Sequence, residues 1–258
     1  MKALQILFLS LFCFTTVLAQ SKKDIQKDDE AEKISISRYK PIYLITGNSD
    51  DQVRGQVSLK YDLFSSYKTN LFLGYSQYMD WRVYDDSSPF RNIDFNPEVF
   101  WRYDLNFIPT FLQFGFYEHR SNGEAGSKNR SVDSSYVSTN STFNVWRMRF
   151  NWSAKFYHMY NIAGHNKDIY DYAGWWDTEI SVGLYSLFKG YIDSEEFEFR
   201  LLPRGNSLND STRVYGLKFR TLLPGFQPKF YLQIWDGYYQ TLLDYNRRDT
   251  AVRFGLIF

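Results

Sequence analysis

The sequence predicts an all-β chain, a transmembrane antiparallel up-and-down β-barrel of about 12 strands. Three observations carry that expectation. First, polar and apolar residues alternate over unusually long segments. Between residues 52 and 63, Val53, Gly55, Val57, Leu59, Tyr61 and Leu63 share one face, and Gln52, Arg54, Gln56, Ser58, Lys60 and Asp62 share the other. Strands of soluble sandwiches mostly run about five or six residues, whereas segments of about ten are what a tilted strand needs to cross a bilayer. Second, aromatic residues make up 20% of the chain, yet mean hydropathy is only −0.44. The apolar mass is therefore interleaved with polar residues, a pattern that no membrane-spanning helix fits. Third, the apolar faces are matched by polar faces carrying Arg and Asp, which a secreted soluble protein with a large apolar core would not place there.

The elements follow in order. Residues 1–19 open with Lys2, continue through the apolar run from Ile6 to Phe12 and end at Ala19. They read as an export signal, too short for a membrane anchor. The sole cysteine, Cys13, lies within it, so the mature chain has no thiol or disulfide chemistry. Residues 20–37 mix both charge signs with few large apolar groups and read as a mobile periplasmic leader. Residues 38–258 form the barrel, with strands expected at 39–46, 52–63, 71–83, 99–107, 111–121, 131–142, 146–156, 172–185, 191–202, 212–222, 229–240 and 250–258. The last places Thr250, Val252, Phe254, Leu256 and the terminal Phe258 on one face. A terminal aromatic there resembles the signal that directs barrels to outer-membrane assembly. With both termini periplasmic, connections 84–94, 122–130, 159–169, 203–211 and 241–247 face outside. The compact turns near Ser66, Pro109, Asn144, Leu187 and Pro224 face inside. A formal net charge of +1 argues against nucleic acid as a partner.

One stretch carries candidate chemistry. In Tyr117-Glu118-His119-Arg120-Ser121-Asn122-Gly123 an imidazole and a hydroxyl stand two residues apart, which on a strand puts them on one face. A neutral imidazole can take the hydroxyl proton if a third group fixes its tautomer, and Asp133 on the returning segment is the candidate. His158 and His165 have neither serine nor carboxylate at useful spacing and read as a rim and a loop residue.

His119-x-Ser121-Asn122-Gly123, with Asn129-Arg130-Ser131-Val132-Asp133 and Tyr136 after it, resembles the outer-membrane phospholipase A family. Ser87-Ser88-Pro89-Phe90-Arg91 with Asn96-Pro97-Glu98, and Tyr231-x-Gln233 through Leu242-Leu243-Asp244-Tyr245-Asn246, match the family in the same order. The resemblance implies an outer-membrane enzyme hydrolysing acyl esters of phospholipids, of A1/A2 and lysophospholipase type. Ser121 is then the nucleophile, His119 the general base, Asp133 the orienting group, and the Gly123 N–H an oxyanion donor. The familiar member has Asn in place of Asp133; a carboxylate accepts the imidazole N–H equally well and offsets its charge. A calcium ion is implied, with Glu124, Asn129 and Ser87 at the ligand positions and Ser87 supplied by the partner of a homodimer. Asn129 replaces a serine, which changes reach. Alternation along Leu112, Phe114 and Phe116 would turn His119 and Ser121 inward, whereas the resemblance implies that they face outward, and the outward placement is the expectation adopted. The alternative function is a catalytically inactive structural barrel or a narrow channel.

Overall fold

A computed structural model describes residues 35–48, 52–66, 68–105, 110–184, 192–204, 207–221 and 227–258. The expected export signal lies outside them, as does the expected leader up to residue 34. Ile36 and Ser37 of that leader belong to β1 (Ile36–Arg38), which pairs with β3 (Val53–Ser65). After it come β2 (Tyr43–Gly47), β4 (Thr69–Trp81), β5 (Phe90–Leu105), β6 (Thr110–Ser121), β7 (Ser131–Val145) and β8 (Met148–Tyr160). A short helix α1 (Ile169–Ala173) precedes β9 (Trp176–Leu184), β10 (Ile192–Arg204), β11 (Ser207–Thr221), β12 (Lys229–Gly237) and β13 (Asp249–Ile257).

All pairings are antiparallel; apart from β1 on β3 they join chain neighbours, and β13 closes on β2. Both β1 and β2 run beside β3, with Arg38↔Leu59 in one register and Tyr43↔Gln56 in another. The first stave is thus one strand interrupted by residues 39–42, and the closed barrel has the expected twelve. Closure of β13 on β2 gives the backbone N–H and C=O groups of the last stave a partner in the first, which is what a bilayer demands of them.

The faces are those of a membrane barrel. Leu73, Tyr75, Val137, Trp152, Phe156, Ile180, Phe197, Tyr215, Ile234, Val252 and Phe254 are large, apolar and exposed. The buried inward set is polar: Arg54, Ser58, Asp80, Asp94, Glu98, Gln113, Gln233 and Arg253. Charges there are paired, as burial requires. Arg54 Nε meets Asp80 Oδ1 at 2.6 Å, and Lys40 Nζ meets Glu98 Oε1 at 2.7 Å. The break in the first stave lets Tyr39 enter the lumen, where its ring stacks on Phe100 at 4.8 Å and its hydroxyl donates to Glu98 at 3.0 Å. The space left in the lumen is a cavity of about 540 Å³.

Several boundaries differ from expectation. Strand β5 starts at Phe90, nine positions before the expected 99, because its inward residues Asn92, Asp94 and Asn96 are polar and mimic a loop. The outer connection before it shrinks accordingly to residues 82–89. The start of the expected strand 172–185 is the end of α1, and the inner turn near Asn144 falls instead at Trp146 and Arg147. The expected outer loop 203–211 is mostly ladder, with Arg204 paired to Ser207. Turns at Pro109, Leu187 and Pro224 lie outside the described residues.

Outer connections 161–175 and 238–248 fold over the barrel mouth. Ile169, Ala173, Leu242 and Tyr245 from them pack with Val132 and Met159 of the strands into a small apolar core. Leu242 N–H donates to Asp94 Oδ2 at 3.0 Å, which ties this cap to the wall.

Candidate active site

The site is built on the outer end of β6, and a local irregularity sets which way it looks. Gly115 is opposite Tyr136 and Glu118 opposite Ser134, so Phe116 and Tyr117 together oppose Ser135 alone. On the other side, Tyr117 pairs with Val99 and Gly115 with Phe100, which leaves Phe116 as the extra residue. This is a β-bulge, and one inserted residue reverses the phase of every side chain beyond it. Gln113 and Gly115 are buried in the lumen below the bulge; above it the inward residues are Glu118 and Arg120. His119 and Ser121 therefore point outward, in the same direction as Leu112, Phe114 and Phe116. Strict alternation could not have placed both sets on that side.

Both inward neighbours are held firmly. Glu118 pairs with Lys155 at 2.7 Å, and Arg120 donates to Asp94 at 2.9 Å while lying over the Tyr239 ring. Pro97 of β5 cannot donate to the ladder, and the Asn96 side chain donates to the His119 carbonyl at 3.0 Å in its place. The sequence reading noted Asn96-Pro97-Glu98 as a block without seeing this use.

On the outward face His119 and Asp133 are directly opposite in the ladder, and their side chains meet, with Nδ1 to Oδ1 at 2.6 Å. Asp133 is ionised in this role and only accepts, so the imidazole carries its proton on Nδ1 and leaves Nε2 free as a base. The Tyr117 hydroxyl also donates to Asp133 Oδ1, at 3.2 Å, and its ring lies nearly parallel to the imidazole, at 11°. Asn161 donates to Asp133 Oδ2 at 2.9 Å. Asn161 was assigned no role from sequence; it lies twenty-eight residues from Asp133, and only the register brings it there.

Ser121 ends β6 opposite Ser131. Asn122, buried, then braces the turn. Its backbone N–H donates to the Arg130 carbonyl at 3.1 Å, its amide donates to the Lys128 carbonyl at 2.9 Å, and its Oδ1 accepts from Arg130 N–H at 3.0 Å. Gly123 follows at φ +66°, a conformation glycine adopts without penalty, and the Phe95 ring lies 3.0 Å from where a Cβ would stand.

The expected ligand residues are dispersed. Glu124 is exposed on the loop after Gly123, and Asn129 is half-buried at the end of a single 3₁₀ turn, Gly126–Lys128. Ser87 is exposed with φ +63° in a separate loop, pinned beside it by Trp81 Nε1 to the Ser88 carbonyl at 2.8 Å. All three offer oxygen, which suits a hard cation. Among the described residues there is no cluster of three acidic, His or Cys side chains, and Arg130 donates to the Ser127 and Asn129 carbonyls. The donor chemistry fits calcium, while the charge count favours weak binding. His158 lies 3.4 Å from the Tyr170 hydroxyl and His165 is in an exposed turn, both away from the Asp133 pairing.

Comparison with known proteins follows the same outline. The profile of the Phospholipase A1 family matches residues 18–258. The phospholipase A1 of Klebsiella pneumoniae is 28% identical over 221 residues, covering 80% of this chain and 70% of that one, and that of Escherichia coli K12 is 26% identical over 221 residues, covering 80% and 69%. Among solved structures, the outer membrane phospholipase A of Escherichia coli superposes with a TM-score of 0.70 at 21% identity, covering 90% of this chain and 94% of that one. A Salmonella typhi outer membrane phospholipase dimer with bound calcium gives 0.70 at 20% identity, covering 89% and 94%. A profile match running from residue 18 to the last residue, on a closed barrel of the same architecture, shows that this chain belongs to the phospholipase A1 family.

Proposed function

We propose that the chain is a calcium-dependent outer-membrane phospholipase that cleaves acyl esters of phospholipids through a seryl acyl-enzyme. The observation that carries this reading is the 2.6 Å pairing of His119 with Asp133 on the lipid-facing side, beside Ser121. A lipid ester reaches that face without entering the barrel. Ser121 Oγ attacks the ester carbonyl while His119 Nε2 takes its proton; Asp133 holds the tautomer and offsets the charge on the imidazolium. His119 then returns the proton to the leaving lysophospholipid alkoxide. Water, deprotonated in the same way, releases the fatty acid. The Gly123 N–H is positioned by the Asn122 brace to donate to the oxyanion.

Calcium would be held by the Glu124 carbonyl or carboxylate, by Asn129, and by Ser87 of a second protomer. When bound it supplies positive charge near the developing oxyanion. The dimer and its ion are supported by the Salmonella neighbour, a dimer with bound calcium. Two protein ligands per protomer would leave a weak site until the second copy completes it, so ion and dimer favour each other by linkage. A channel function has little support, since Tyr39, Lys40 and Glu98 occupy the lumen and the loops cap its mouth.

The test is fatty acid release from phospholipid in mixed micelles, with calcium and with excess chelator. Release that depends on calcium and disappears in Ser121→Ala supports the reading; full activity of a monomer in chelator removes calcium and the dimer from it.

A further inference from the structure

We propose that Asn161 is a positioning residue for this site: its amide holds the second oxygen of Asp133 and so fixes the carboxylate that orients His119. The inference rests on the catalytic reading above. Asp133 Oδ1 accepts from His119 Nδ1 at 2.6 Å and from the Tyr117 hydroxyl at 3.2 Å. A carboxylate anchored by one oxygen can still turn about its Cβ–Cγ bond, whose torsion is soft. Asn161 Nδ2, at 2.9 Å from Oδ2, closes that freedom. The two groups act on opposite oxygens, so the plane of the carboxylate, and with it the plane of the imidazole, is set from both sides.

Backbone geometry aims the amide. Tyr160 is the ladder partner of Asp133, and Asn161 is the next residue, at φ +48°. Asparagine tolerates this left-handed region better than most residues. It swings the chain off β8 while leaving the side chain beside the strand it has just quit. The segment that follows is tied to β7, the strand of Asp133, with Ala163 N–H at 3.0 Å and Asn166 Nδ2 at 3.1 Å both donating to the Ser131 carbonyl. Ser131 is the ladder partner of Ser121. The loop 161–175 therefore grips β7 opposite both the base and the nucleophile, and Asn161 is its contact with the charged group.

The experiment uses the whole mature protein in detergent with phospholipid substrate and calcium. Asn161→Gly removes the amide yet keeps the positive φ accessible; Asn161→Asp keeps the shape and replaces the donor with a second carboxylate. Turnover is measured together with the rate at which a sulfonyl fluoride labels Ser121, a readout that needs no lipid. Loss of one hydrogen bond to a charged, partly solvated group should lower kcat by about three- to tenfold in Asn161→Gly, with KM unchanged and labelling slowed by a similar factor. Asn161→Asp should be slower still. In an Asp133→Ala background the Gly substitution should cost nothing more, since its only target is gone. Equal losses in both backgrounds, or no loss in the native one, overturn the proposal. If Asp133→Ala itself leaves turnover unchanged, the catalytic reading has failed; if it lowers turnover while Asn161→Gly is silent, only this inference has.

Discussion

The two halves of β6 obey opposite rules. Its lower half, Thr110 to Gly115, is ordinary barrel wall, with Gln113 inside and Leu112 and Phe114 outside. Its upper half, Glu118 to Ser121, hides charged groups and turns the imidazole and hydroxyl to the lipid side. One extra residue, Phe116, separates them. In the neighbouring β5, Asn92, Asp94, Asn96, Glu98 and Phe100 point inward in unbroken alternation, and the register shifts at its outer end, between Phe90 and Asn92. The contrast shows how a barrel can carry polar chemistry on its outer surface. The lipid-facing row stays apolar where it meets hydrocarbon, and the phase changes only at the rim, where two buried ion pairs anchor the inward side.

The largest effect that would break this comparison is on the chemistry itself. Ser121→Ala and His119→Ala should each lower turnover by on the order of a thousandfold or more, because nucleophile and base act as a unit. The folded barrel should persist, as judged by its heat-dependent migration on a gel. Retention of more than a few per cent of activity by the Ser121 variant would take it out of the nucleophile role.

Deleting Phe116 addresses the bulge directly. The deletion removes the extra residue, so Gly115, Tyr117, Glu118 and His119 point alternately in and out, and His119 and Ser121 keep their outward face. We expect fatty acid release to persist in the deletion variant, as in Phe116→Ala, which keeps the extra residue. A deletion variant that folds as a barrel and releases no fatty acid would sink the phase argument. Asp133 offers a finer cut: Asp133→Ala should reduce kcat by about 10- to 100-fold, as loss of a positioned hydrogen bond to the base does. Asp133→Asn should retain more, because an amide oxygen still accepts from the imidazole.

Two smaller effects sharpen the picture. Gly115 ends the lower half, and a Cβ there would run into the Tyr136 ring. Gly115→Ala should cost about 1–3 kcal/mol by overpacking, read as a lower unfolding temperature in detergent, with the site's chemistry unchanged in the surviving fold. Ser87→Ala should leave the barrel intact and raise the calcium concentration for half-activation, which for so sparsely charged a site should already lie at roughly 0.1–1 mM in the native protein. Crosslinking across a calcium titration would show the dimer shifting with it; an unchanged titration would return Ser87 to being a loop residue.

What could be read from the chain alone was whatever depends on period and spacing. Alternation over long segments determined the barrel, its stave number and its polar lumen, because every strand of a closed membrane barrel must meet lipid on one side. The spacing of His119, Ser121 and Asp133 made them candidates, and the resemblance of three sequence blocks to a known family singled that stretch out. Polar inward residues hid the first half of β5, since Asn92, Asp94 and Asn96 look like loop until the lumen that solvates them is known. The direction of the site was decided only by tertiary structure. Phe116 and Tyr117 are both aromatic and both exposed, so no alternation signal marks which of them is the extra residue. The bulge is visible only in the pairing with β5 and β7. The Asn161 contact depends in the same way on how β7 and β8 align, because two residues far apart in sequence share a carboxylate only once the register is set.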